Sequence, residues 1–524
     1  MPAKNEVLII GGGHNGLVCA CYLANAGMKV RVFERHSEVG GAAITEEFHP
    51  GFRNSIASYT VGLLDPDVIR DLRLYEHGLR IVPRPIANFF PISDDESLNV
   101  YNDDKDSASE FARFSANDSN ALFKFKEMLS SVGDVARQLM KREPPRLGGG
   151  WSNWVGLLSN VREFRSLAPK ARGNLIDLFV SPITQFLSQW FENPHIQAAF
   201  AFDAVVGSHI SLNSAGTSYG LLHHALGQVI DRTGAWGHAI GGMGAITQAM
   251  KAEAVQRGVH IYTDSEVVEV TTYQNLVRGI KLKDGTEFEA TTIVANVAPQ
   301  HLYLDLLDEG TIGSNFRDRI KNLRSESAVL RINVALSELP QFTCKANDTK
   351  QDHLQSGIVI GPTLEYMETA YLGSRLGNWS TSPVIEMLIP SIVDDTLAPP
   401  HKHVASLFCQ HFPRDRDWEN LREEAADTIF ATIDKFAPNF SSSVISRQVL
   451  TPLDLERRFR LPGGDIFHIA HILNQLWGNR PVMGFGAYRG PISGLYHCGA
   501  GSHPGGGVTG IPGRNAARAI LSDG

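Results

Sequence analysis

The sequence predicts an α/β protein: a doubly wound parallel-sheet domain interleaved with a second domain of mixed sheet and helices. Three observations predict it. An unbroken apolar run, Val7–Ile10, meets a glycine cluster and then a helix-patterned stretch within the first 30 residues. A strand, glycine-rich loop and helix pattern returns at 494–521. Between these, residues 62–230 change character, with helix-like and Trp-containing stretches, and a second compact strand-and-helix region follows at about 240–300.

The elements follow in order. Val7–Ile10 has the continuous apolarity of a parallel strand buried on both faces. Leu17, Ala20, Cys21 and Ala24 fall at i, i+3, i+4 and i+7, one face of a helix. Gly27 stands where a helix C-terminal cap belongs. Lys29–Glu34 is a second strand, with Val30 and Val32 on one face. The stretch 241–258 reads as a loop and a helix ending at Gly258. Residues 259–296 read as successive strands with a hairpin turn at Asp284-Gly285. Strand-like and helix-like segments alternate over 300–455. We therefore expect one domain from 1–62, 231–300 and 456–524, and the other from 63–230 and 301–455.

Composition bounds the function. A length of 524 residues suggests two to four domains at roughly 100–200 residues each. Apolar residues at 43% and charged residues at 20% are those of a globular protein. A net charge of −8 argues against non-specific nucleic-acid binding. Five cysteines without a CxxC form no disulfide framework, and Cys19 and Cys21 suit packing on a buried helix. No apolar run reaches the ~18 residues of a membrane span. The first residues lack the composition of a signal or transit peptide. The expected location is cytoplasmic, peripheral to a membrane if a docking segment exists, or mitochondrial for a eukaryotic source.

GGGHNG (11–16) holds G-x-G-x-x-G as Gly11, Gly13 and Gly16. Gly11 permits the tight turn, Gly13 lets a pyrophosphate approach the backbone, and Gly16 lets helix and strand pack closely. The pyrophosphate then meets the free N–H groups of a helix N-terminus. Glu34 ends the second strand, where an acid holds ribose hydroxyls and would repel a 2′-phosphate. This is a Rossmann-like dinucleotide site, and it disfavours NADP. ERHSEVGGAA (34–43) extends it: Arg35 follows the acid, and Gly40-Gly41 bring a second stretch of backbone to the cofactor. GLYHCGAGSHPGGGVTGIPGRNAARAIL (494–521) supplies the second strand-loop-helix, whose helix N-terminus suits a developing negative charge.

GGGHNGL, ER....GGAA and GAGSHPGGGVTG together resemble the phytoene desaturase-like group of FAD enzymes, which includes carotenoid and retinoid oxidoreductases. IPSIVDDTLAPPHKHV (389–404), TPLDLERRFRLPGGDIFH (451–468) and PGRNAA (512–517) carry the resemblance through most of the chain. It implies FAD, with Gly11, Gly13 and Gly16 at the pyrophosphate and Glu34 at the adenosine ribose. Gly40, Gly41 and Ala42 would line the cofactor, and the Val267 backbone would meet adenine. Gly499, Ala500, Val508 and Thr509 would lie along the ribityl chain and ring. Many members have Gly-Gly-Arg where this chain has Ala42, so any role of that Arg is absent. The resemblance implies hydride removal from an apolar, polyene or isoprenoid-like small molecule. Amine oxidation at a C–N bond, or FAD binding with catalysis lost, are the alternatives.

Catalytic candidates are fewer. His468 and His471, with Gln475 a turn further, would share a face if GDIFHIAHILNQLWG is helical. In the family this segment lies near the flavin, as does the segment holding Tyr59. His468 and Tyr59 are the expected polar groups of the active site. His223, His224 and His238 read as polar lining or surface. His401, His403, Cys409 and His411 have a superficially metal-like spacing, but HVASLFCQHF reads as a strand and supplies no converging ligand set, so no metal is expected. WSNWVGLLSNVREFRSLAPKAR (151–172) has the composition of an interfacial helix. It suits a membrane surface, packing on its own domain, or a homo-oligomer interface.

Overall fold

A computed structural model describes residues 5–144, 165, 168–229 and 232–524. The expected α/β architecture is present. A five-stranded parallel sheet has the order 260–262, 29–33, 6–10, 292–295, 495–497. Its central strand, Glu6–Ile10, is buried from Val7 onward, as a strand covered on both faces must be. Helix His14–Asn25 follows the glycine turn, and Gly27 just beyond it adopts φ +84°. That is the left-handed position a helix terminus reserves for glycine. The second strand is Lys29–Phe33, which leaves Glu34 just past its tip.

Helix Gly244–Gln256 and the meander Val267–Tyr273, Leu276–Leu282, Glu287–Glu289 follow the sequence pattern, with Gly285 at φ +90° in the last turn. The tail forms strand Leu495–His497, a loop, and helix Ile511–Asp523. This final helix packs against helix His14–Asn25 so closely that a Cβ at Gly513 would collide with the Asn15 carbonyl.

A seven-stranded mixed sheet is the second layer system. Its order is 444–450, 329–336, 403–410, 384–388, 357–360, 86–91, 97–101. All pairs are antiparallel except 357–360 with 86–91. Helices Ala116–Met140, Ile183–Ser188 and Pro194–Val205 build a hydrophobic cluster beside it, with the Phe125 ring against Phe186, Phe191 and Phe200 and Phe191 stacked on Phe200.

Two differences from the sequence pattern stand out. Strands Ile86–Pro91 and Ser97–Tyr101 lie in a region that reads as helix-rich. Runs of five or six residues carry too few periods to separate strand from helix. The segment 463–479 is not a helix: it is loop with short 3-10 turns, and His468 sits at φ +69°. His468 and His471 therefore do not share a helix face. Among the described residues no helix is long and apolar enough to cross a membrane. Most of 151–172 lies outside the described residues.

Candidate functional site

A cavity of about 1800 Å³, counted out to its mouth, opens at the carboxyl ends of the parallel strands. Ile10, Phe33 and Asn296 mark the ends of three of them, and Ala500 follows the fourth. That is where open α/β sheets bind ligands. The opposite wall comes from the seven-stranded sheet, through Asn88, Glu386 and Phe408.

The glycine turn forms a cradle. Gly11 adopts φ +92°, and a Cβ there would lie 2.8 Å from the Asn296 carbonyl oxygen. A Cβ on Gly13 would lie 2.9 Å from Asn296 Nδ2, and one on Gly16 would collide with the Gly11 carbonyl. Gly40 N–H donates to the Gly12 carbonyl at 3.0 Å, so the Gly40-Gly41 backbone docks beside the first turn. The first N–H groups of helix His14–Asn25 have no carbonyl within the helix to reach and remain available to an anion. Glu34 is held at the rim: its Oε2 accepts the Gly12 N–H at 2.8 Å and its Oε1 the His36 N–H at 3.0 Å.

The predicted residues separate into lining and support. Gly11, Gly13, Glu34, Arg35, Gly40, Gly41, Ala42, Tyr59, Val267, His468, Ala500 and Val508 line the cavity. Gly16, Gly499 and Thr509 stand behind it. Thr509 Oγ1 accepts the Ile511 N–H at the start of the final helix. A Cβ on Gly499 would press on the Val297 carbonyl and the His468 ring, which keeps that loop close to the wall. Arg35 donates to the Arg458 carbonyl, and its own side chain joins Arg460 and His36 at the mouth.

Sequence reasoning missed several cavity residues. Asn296 follows strand Thr292–Ala295 and donates to the Gly11 carbonyl at 3.3 Å. Its place at a strand end was the available signal. Asp203, Glu386, Phe202, Phe408 and Trp236 converge only through the tertiary fold. Arg480 is fully buried and binds the carbonyls of Phe467, Ile469, Ala470, Gln475 and Ala500.

The polar groups at the far wall are tightly held. Tyr59 donates its hydroxyl to Glu386 and stacks on Phe408 at 5.0 Å between ring centroids. The Arg331 guanidinium lies 4.4 Å from the Tyr59 ring centre, and Arg84 lies 3.6 Å from Glu386. Burial, and then the Glu386 charge, push the Tyr59 phenol well above its ordinary value. It is a hydrogen-bond donor at neutral pH and no base. Burial, then Glu386, raise the Asp203 carboxyl to about 7.

Buried imidazoles surround the cofactor end. Desolvation lowers His468 to about 3, and His14, His497 and His503 to about 4. These groups are neutral when folded and charge more readily when unfolded, where the ordinary value is 6.5. Both states are neutral well above pH 6.5. As pH falls below it the unfolded state binds protons first, so stability is lost from about pH 6.5 down toward pH 4. Thermal unfolding followed from pH 7.5 to 5 is expected to show a falling midpoint. A midpoint that holds or rises would contradict the neutral assignment.

A parallel sheet with helices on one face and the antiparallel meander on the other, this glycine cradle, an acid at the tip of its second strand and a cavity running past both defines a dinucleotide-binding oxidoreductase scaffold. The comparisons give the family. The model of the flavin-containing amine oxidoreductases matches residues 16–330, and the chain belongs to that family. It is 38% identical to the mouse pyridine nucleotide-disulfide oxidoreductase domain-containing protein 2, over 100% of this chain and 94% of that one. A Paracoccus phytoene desaturase (lycopene-forming) is 22% identical over 100% and 98%. The solved structure of a putrescine oxidase triple mutant shares the fold, with a TM-score of 0.61 at 16% identity and 99% coverage of both chains. The chain is an FAD-dependent oxidoreductase. The residues present fit FAD, because the cradle admits backbone approach only while Gly11 and Gly13 lack side chains.

Proposed function

We propose that this enzyme removes hydride from a C–H bond of a largely apolar small molecule, as a dehydrogenase or desaturase. The observation that carries the proposal is the lining of the cavity beyond the glycine cradle. There Leu63, Phe202, Val206, Trp236, Phe408 and Ile466 form an apolar compartment continuous with the dinucleotide crevice. Such a compartment selects by burial of apolar surface, at about 25 cal/mol per Å². A relative named for phytoene desaturation supports this chemistry.

Gly11, Gly13 and the first turn of helix His14–Asn25 would hold the pyrophosphate, Glu34 the ribose, and Ala500 and Val508 the ring. FAD, when bound, supplies the hydride acceptor. The chain's own residues position and shield. His468 stays neutral against the wall, and Tyr59 is committed to Glu386. Neither is free to move a proton at low cost, so hydride transfer relies on orientation and the exclusion of water.

Anaerobic titration of the flavin-loaded protein tests the proposal through the visible absorbance of the flavin. A cell lipid extract is expected to bleach it, and polar amines are not. Bleaching by amines alone would move the assignment to C–N oxidation. No bleaching by either, with dithionite still effective, would favour an FAD-binding protein without turnover.

A further inference from the structure

The apolar compartment ends in a polar wall, and that wall bears on the substrate. We propose that Asp203, supported by Glu386, anchors a hydrogen-bond-donating headgroup, a hydroxyl or amine, on an otherwise apolar substrate. The inference rests on the oxidoreductase reading above and narrows its substrate class.

Asp203 lies near the end of helix Pro194–Val205 and faces the cavity between Phe202 and Val206. Among the described residues its carboxyl has no hydrogen-bond or ion-pair partner, although Phe202, Ala204 and Val205 around it are buried. Glu386 stands on the same cavity wall with its partners already assigned: Tyr59 donates to Oε2 and Arg84 approaches Oε1. Arg84 and Arg331 lie behind the lining, so the faces presented to a ligand are the carboxyl oxygens. Asn88, also in the wall, adds an amide.

A pure hydrocarbon filling this compartment would bury these oxygens against carbon. A polar group desolvated without a partner opposes binding, and a carboxylate more so. A ligand O–H or N–H directed at Asp203 removes that penalty. Sites built to hydrogen-bond a substrate group discriminate strongly against analogues that lack it. The guanidiniums behind the wall balance the carboxylates, so the wall recognises a donor group and not net positive charge alone.

Three probes of equal length separate the possibilities: n-octanol, n-octylamine and heptyl methyl ether, the last an isomer of the alcohol without a donor. Each is titrated into the FAD-loaded enzyme under anaerobic conditions at a pH above the Asp203 value of about 7, where the carboxyl only accepts, and the perturbation of the flavin spectrum gives an apparent Kd. The alcohol or the amine is expected to bind at least ~tenfold more tightly than the ether. Which of the two wins identifies the headgroup. In Asp203→Leu the preference should vanish, the donor probes binding more weakly and the ether, freed of the desolvated carboxyl, more tightly; Asp203→Asn, which keeps an acceptor oxygen, should retain part of the preference.

Equal binding of all three probes by the native enzyme would overturn the proposal, and so would a preference that survives in Asp203→Leu. The native comparison stands alone if the variants do not fold. If lipid extract bleaches the flavin while the probes bind equally or not at all, only the headgroup assignment fails. If nothing apolar bleaches or perturbs the flavin, the apolar-substrate reading beneath it fails.

Discussion

Arg480→Leu is expected to yield a protein that loses its flavin and unfolds far below the native temperature. The guanidinium is fully buried, and among the described residues it touches no carboxylate. It donates to Ala500 at 2.8 and 3.0 Å, to Phe467 at 2.8 Å, to Ile469 at 3.0 Å, to Gln475 at 3.2 Å and to Ala470 at 3.4 Å. Burial lowers it to about 10, so it remains charged at neutral pH. Leucine fills similar space but leaves those carbonyls without this donor. Each buried acceptor so abandoned costs about 1–3 kcal/mol, and the total should exceed ~3 kcal/mol. Ala500 and His468 both line the cavity, so the loss falls on the ring end of the cofactor site. Arg480→Lys keeps the charge with three donors in place of five and should fall between. The flavin-to-protein absorbance ratio and the unfolding midpoint read both variants. Full flavin content in Arg480→Leu would show that the loop holds itself.

Gly16→Ala is the second large effect. The added methyl would collide with the Gly11 carbonyl and meet the Asn296 side chain. The first is backbone and cannot rotate away, so helix His14–Asn25 must lift from the strand it follows. Loss of flavin or of soluble protein is expected. Gly27→Ala is the control. Among the described residues nothing lies within 4 Å of a Cβ added there, and only its φ of +84° opposes the change, at about 1 kcal/mol. It should keep its flavin. Equal behaviour of the two variants would remove the steric argument.

These two residues also mark what sequence alone can reach. Gly16 belongs to a motif whose spacing is local: turn, helix start and acid at a strand tip follow within one βαβ unit. The same holds for the strand-loop-helix of the tail. Arg480 has no such signature, because its partners are backbone carbonyls that any residue supplies. It also explains the misread segment. Carbonyls of Phe467, Ile469, Ala470 and Gln475, which a helix would bond internally, are taken by this one side chain. Gly463 and Gly464, both at positive φ, and His468 break the path before it. Glu386 and Asp203 were illegible for another reason. One lies in a strand of the seven-stranded sheet and the other in a helix, and only the closed fold brings them to one wall.

The packing of helix Ile511–Asp523 on helix His14–Asn25 has a consequence for biogenesis. The crevice opens with residues 11–16 but closes only when strand Leu495–His497 and the last helix arrive. Contacts of such sequence separation form late and slowly. A chain emerging from the ribosome therefore carries a half-built cofactor site while the residues between 16 and 495 are made. FAD can grip both halves only afterwards, so cofactor supply acts on the chain as a late quality check, and starved cells should accumulate a protease-sensitive form.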